Sequence, residues 1–367
     1  MSSNSILSAT AHVVQEQILP LVPKVWKQQF QFGLQTLGLQ AFTSANSNAR
    51  TSGLPKGTAE NKMSRLLHNK KLPNTLTKMT AELSNLTEAS IVNVDHSDFN
   101  GLVALVFAAQ TKKGRALPIF LQTAYSGKLS KKDDAPKRTQ ALRFCYESQE
   151  ERNKEIDRTI STLLEFRSTL AFWPKLVFDR GFGSQAIVEL LDAEKAIFYI
   201  RMKAGRYAEI GGNPVQLKTL AKKDSIVTLY GLQLRVVRSP KNGKNDEPWY
   251  ILTNDMKRSR TKVVRIYYHR FEIEEIFRDM KSIVGVGKTR LNKPLSLKIL
   301  LWFILLGVLL LYRSGLEALG SELWTKLKPK GHKKRISWFR MLFELRQQEI
   351  NQLAFGSLGL LGWGEKC

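Results

Sequence analysis

The stretch Pro174–Met202, PKLVFDRGFGSQAIVELLDAEKAIFYIRM, decides the fold. LVF is a short apolar run that stops at an acid, Asp179. Arg180-Gly181-Phe182-Gly183 follows as a turn, QAIVELLDAE as an amphipathic helix and AIFYIRMK as a second strand. Strand, helix, strand with a short turn after an acid is the unit of an open α/β sheet, whose sites gather at strand ends.

Upstream, SIVNVDHSDF (90–99), LVALVFAAQTK (102–112) and RALPIFLQTAY (115–125) are rich in apolar, β-branched and aromatic residues. Asn100-Gly101 and Lys113-Gly114 divide them, so they predict three antiparallel strands. A charged stretch, GKLSKKDDAPKR, leads into a helix over roughly 140–170. The order β-β-β-α-β-α-β is that of a ribonuclease H-like core. Downstream, VQLKTLA, SIVTLYGLQLRVVRS and PWYILTN predict a β-rich insertion. Helix resumes at about 261 and runs through YYHRFEIEEIFRDMKSIV. Ile299–Glu317 is apolar all round, the signature of a buried helix. The apolar core of that helix, Ile299–Tyr312, is short for a membrane span.

The expected domains are 1–88, a helical DNA-binding region; 89–205, the first part of the core; 206–258, the β-rich insertion; 259–318, which completes the core; and 319–367, a basic helical end. In the first, SANSNARTSGLPKGT and the helix after it are basic through Arg50, Lys56, Lys62, Arg65, Lys70 and Lys71. The fold class is α/β: a mixed sheet flanked by helices, with helical regions at both ends.

Composition points the same way. The 367 residues are 43% hydrophobic, enough for a sizeable core and too apolar for global disorder. Lys and Arg number 57 against 32 Asp and Glu, a formal charge of +25, which calls for a polyanionic partner such as nucleic acid. The two cysteines, Cys145 and Cys367, are far apart, and the five histidines do not join them at zinc spacing. The N-terminus lacks a secretory leader, so the expected location is cytoplasmic.

Three acids stand out. Asp95 ends the apolar run SIVNVD, and Asp179 ends KLVFD. A carboxylate there is costly unless paired or metal-bound, although a strand-ending Asp also starts many turns. Asp98 competes with Asp95, which is preferred because it directly ends the run. On a helix over 261–284, Tyr267, Arg270, Glu274 and Lys281 fall on one arc beside the apolar stripe Ile266, Ile273, Phe277, Met280 and Val284.

Tyr267, Arg270, Glu274 and Lys281 carry a Tyr-x2-Arg-x3-Glu-x6-Lys spacing. In this the chain resembles the bacterial insertion-sequence transposases of the DDE type, of the IS-four family. FDRGFGS around Asp179 is similar to that family's second-aspartate block. VNVDHSDF around Asp95, with Ser97 two residues on, is a looser likeness. The resemblance spans roughly 60–315. It implies a catalytic set of Asp95, Asp179 and Glu274 holding two Mg or Mn ions, with Tyr267, Arg270 and Lys281 binding DNA phosphates. It implies terminal inverted repeats and target DNA as partners, a homodimer in the synaptic complex, no membrane, and excision through a DNA hairpin before strand transfer. Trp249 or Tyr250 is a candidate support for a flipped base, and Arg180 a candidate DNA contact. His96, Arg201 and Lys203 are weaker candidates, with turn or surface roles as the plainer expectation. The competing functions are a nuclease without strand transfer and an inactive DNA-binding relative.

Overall fold

A computed structural model describes residues 5–38, 41–99, 102–125, 149–220, 222–240, 248–289, 291, 293–320 and 337–355. The stretch 126–148, the tail KLKPKGHKKR and both cysteines lie outside them.

The three runs after residue 90 form strands β1 (Ile91–Phe99), β2 (Leu102–Ala109) and β3 (Leu117–Tyr125), paired antiparallel as a meander. Helix α6 (Gln149–Leu170) then crosses over to β4 (Lys175–Phe178), which lies parallel to β1. Helix α7 (Gln185–Ala193) leads to β5 (Phe198–Met202), parallel to β4. β1 and β4 have neighbours on both sides, which is why their sequences are nearly unbroken apolar runs until the acids.

The expected β-rich insertion is not a separate layer. β6 (Tyr207–Ile210), β7 (Asn213–Gln216), β8 (Asp224–Leu229), β9 (Leu232–Arg238) and β10 (Tyr250–Thr253) continue the same sheet. Its order is β3-β2-β1-β4-β5-β10-β9-β8-β6-β7. After β5 the chain passes to the far edge with β6 and β7 and returns inward through β8 and β9 to β10, antiparallel to β5. β6 was not foreseen, and the latter part of VQLKTLA is a single turn over Leu217–Thr219 rather than strand.

The sheet has two covered faces. On one, α6 packs Phe166 onto Phe107 with ring centroids 4.3 Å apart, and His96 stacks on Phe182. On the other lie α8 (Arg260–Tyr268) and α9 (Phe271–Ser282), where Phe277 meets Phe99 edge-on. These two helices replace the single helix expected over 261–284. Short i→i−3 bonds mark the break: Arg270 N–H to Tyr267 O at 2.9 Å, Glu272 N–H to His269 O at 3.2 Å and Ile273 N–H to Arg270 O at 3.1 Å. Polar side chains from the sheet reach the carbonyls at the break, so the chain gives up helical bonds there without leaving them unmet.

Helix α10 (Pro294–Leu319) is the apolar helix read from sequence, extended at both ends. Its Leu295–Leu319 segment is long and apolar enough to cross a membrane, yet 83% of its apolar window is buried within the fold. It packs against β3 and against α1 (Ile6–Val13), α4 (Lys56–Leu67), α5 (Leu72–Ser84) and α11 (Trp338–Phe355). Two shorter helices, α2 (Lys27–Gly33) and α3 (Ala45–Arg50), complete the N-terminal group. Ile299 through Leu306 are all within 1% of full burial, so the N-terminal helices and the sheet share one continuous core.

Candidate active site

Strand alternation sets Asp95 and Asp98 on opposite faces of the sheet. Asn93, Asp95, Ser97 and Phe99 share the face of β1 covered by α9, whereas His96 belongs to the face covered by α6. His96 Nε2 accordingly lies 2.9 Å from Glu155 Oε1 of α6. One residue beyond β4, Asp179 emerges beside Asp95, because β1 and β4 are parallel and in register from Ile91↔Lys175 to Val94↔Phe178. The parallel pairing thus brings together two acids 84 positions apart.

Arg270 is the hub. Its side chain is 3% exposed and donates to Asp95 Oδ2 at 3.1 Å and to Glu274 Oε1 at 2.6 Å. Tyr267, fully buried at the end of α8, donates its hydroxyl to Asp179 Oδ1 at 3.3 Å. The Arg270 guanidinium also lies 5.8 Å from the Tyr267 ring and 4.7 Å from that of Phe271. Among the described residues no three His, Cys, Asp or Glu side chains meet at one point; the guanidinium stands between Asp95 and Glu274.

The electrostatics follow from this crowding. Burial pushes the Asp95 carboxyl up to about 6, with Arg270 pulling it back and the adjacent Asp179 charge raising it further. Burial works against the Arg270 cation, but Tyr267, Asp179, Asp95 and Glu274 outweigh it and hold that cation above the ordinary arginine range. Burial also raises the Tyr267 phenol. Asp95 and Asp179, both half-buried, thus stand side by side, with Arg270 bonded to the first and Tyr267 to the second. Carboxylates are the ligands that hard divalent cations such as magnesium or manganese prefer, and here the Arg270 cation stands between two of the three.

The remaining candidates are scattered. Lys281 is two turns beyond Glu274, with its Nζ 5.2 Å from the Phe99 ring centre; burial lowers its pKa and the Asp98 charge raises it. Trp249 packs against Tyr267 at 5.3 Å and Phe271 at 5.7 Å, next to the site, whereas Tyr250 is a core residue, 4% exposed. Arg180 is exposed at the turn after Asp179. The Arg201 charge reaches the Tyr267 phenol, and Lys203 is exposed on the same strand end. Asn93, Gln110 and Glu272 were not singled out from sequence, yet all three bond around the α8–α9 break. Asn93 carried a signal: it is polar within an apolar strand, two residues before Asp95 and hence on its face.

Residues 148–310 match the profile of the family described as Transposase DDE domain. The matched stretch holds Asp179, Trp249, Tyr267, Arg270, Glu274 and Lys281 and begins beyond Asp95. No curated protein matches the chain. The similarity supports a transposase of the DDE class, an enzyme whose partner is DNA, and the mixed sheet flanked by helices is compatible with a ribonuclease H-like transposase core.

Proposed function

We propose that this protein is an insertion-sequence transposase of the IS-four type that excises its element and joins it to target DNA by metal-dependent phosphodiester hydrolysis and strand transfer, through a DNA hairpin. The observation that carries this reading is the sharing of one buried guanidinium by Asp95 and Glu274, with Asp179 beside them through Tyr267. Acids contributed by the middle of β1, the end of β4 and α9 surround one charge centre beside the carboxyl end of β4, the kind of position where open α/β sheets place their chemistry.

In this reading Asp95, Asp179 and Glu274 would hold two magnesium or manganese ions, which when bound supply the Lewis acidity for attack by water or a 3′-hydroxyl at phosphorus. Asp95, beside Asp179 and sharing Arg270 with Glu274, would be the central member of the set. Arg270 keeps Asp95 and Glu274 aligned, and when they are engaged elsewhere its paired donors suit a phosphate. Tyr267 orients Asp179 through its hydroxyl. Lys281 and the exposed Arg180 would serve as phosphate contacts. Trp249 is the candidate base support, since it is aromatic, half-buried and next to Tyr267.

The exposed Lys56, Arg65, Lys70 and Lys71 make residues 1–88 the candidate region for binding terminal repeats, with two copies pairing the ends in the synaptic complex. The test is incubation of the protein with end-labelled terminal-repeat DNA and magnesium. Nicks, then hairpins, then joined products are expected. Nicks alone would leave the nuclease without strand transfer, and no cleavage would leave the inactive DNA-binding relative.

A further inference from the structure

The α8–α9 break is gripped from outside the site. Glu272, in the first turn of α9 and 5% exposed, points away from Asp95 and into the turn joining β2 to β3. Its carboxylate accepts the backbone N–H of Thr111 at 3.0 Å, of Lys112 at 3.2 Å and of Gly114 at 3.4 Å. It also pairs with His269 Nδ1 at 3.0 Å. Its own carbonyl accepts Ala116 N–H at 3.0 Å. A run of backbone N–H groups converging on one carboxylate is an anion nest built to hold that side chain. The nest depends on left-handed backbone at Lys112 (φ 60°) and Gly114 (φ 87°).

A second grip lies on the helix carbonyls. The buried Asn93 amide donates to His269 O at 3.1 Å, and Gln110 donates to Ile266 O at 3.0 Å and to Asn93 Oδ1 at 2.7 Å. Arg270 follows directly after His269, so both grips close on the residues that aim its guanidinium.

We propose that Glu272, with Gln110, is a positioning residue: the β2–β3 turn clamps the break between α8 and α9 and thereby sets Arg270 between Asp95 and Glu274. The clamp is a property of the metal-free chain. Its bearing on catalysis rests on the transposase reading, but its geometry does not.

Glu272→Gln keeps the shape of the side chain but sets an amide NH2 against the nest's donors. Gln110→Met removes both bonds donated by Gln110 and stays informative if the first variant does not fold. In protein labelled with 15N-arginine and free of metal, the buried, doubly paired Arg270 guanidinium should give hindered, separately resolved Nη resonances, assigned by their loss in Arg270→Lys. Either variant should collapse them to averaged signals while the remaining arginines are unchanged. Metal-dependent cleavage should fall about tenfold or more, because small misplacement is costly, with affinity for labelled DNA within about twofold of the parent. Unchanged Arg270 resonances in a folded variant overturn the clamp whatever the activity. Collapsed resonances in a protein that never cleaves DNA uphold the clamp and remove the transposase reading instead.

Discussion

Asp95 is the residue on which charge, stability and proposed chemistry meet. Its folded pKa of about 6 lies above its ordinary value of 3.8, so the native state binds the proton more tightly than the unfolded chain. Stability of the metal-free protein therefore falls as pH rises from about 4 to about 6, and the full penalty, on the order of 3 kcal/mol, is present above that window. Asp95→Asn should relieve part of it. A gain of roughly 2 kcal/mol in urea unfolding at pH 8, shrinking towards zero at pH 4, is the expected result. The same variant should lose cleavage. Magnesium should raise the thermal midpoint of the parent protein at pH 8, where Asp95 is ionised, and leave that of Asp179→Ala unmoved, as followed by scanning calorimetry. Cleavage by Asp179→Ala at the parental rate would show that the site lies elsewhere.

At the scale of elements, the β8–β9 hairpin reaches back to the loop that carries Asp179. Its turn is Tyr230-Gly231, with φ of 57° and 75°, the left-handed pair that a two-residue hairpin requires. Asparagine is the residue that turn favours at its first position, so a tyrosine there bears strain. Its hydroxyl donates to Gly183 O at 2.7 Å and accepts from Arg206, whose guanidinium lies 5.0 Å from the ring. The hairpin thereby pins the turn after Asp179 from the far half of the sheet. Tyr230→Phe should cost about 1 kcal/mol and speed amide hydrogen exchange at residues 180–183, with the β1–β3 meander unaffected. Unchanged exchange at those amides would mean that the hairpin does not hold the loop.

For the whole molecule, α10 decides cohesion. A Cβ built on Gly307 would fall 1.7 Å from the Gly38 carbonyl oxygen, so the N-terminal segment lies directly on the helix backbone. Gly307→Val should destabilise by about 3 kcal/mol. Because the N-terminal helices and the sheet share one core, circular dichroism and tryptophan fluorescence should follow a single urea transition in parent and variant alike. Two separate transitions would mean that residues 1–88 fold as an independent unit. The same packing accounts for the character of α10: a helix apolar on every side is covered by β3 on one flank and by four helices on the others.

Much of this was set by local pattern alone. The meander, the βαβ crossover, the acid at the end of β4 and the all-round apolar helix follow from period-two and period-3.6 hydrophobicity, which act over a few residues, whereas β1 runs on past Asp95 to Phe99. The spacing of Tyr267, Arg270, Glu274 and Lys281 is local too, and so it could be read. Local pattern did not reveal that the helix carrying them breaks at His269–Arg270, because the groups that stabilise the break come from Asn93, Gln110 and the β2–β3 turn, more than 150 positions away. Nor did it reveal that the expected insertion continues the central sheet, since a strand's neighbours depend on hydrogen bonds made between distant segments. The tertiary structure alone turned the acid at the end of VNVD and the acid at the end of KLVFD into neighbours around one arginine. Burial shared by three elements, absent from any one of them, gives Asp95 its raised pKa.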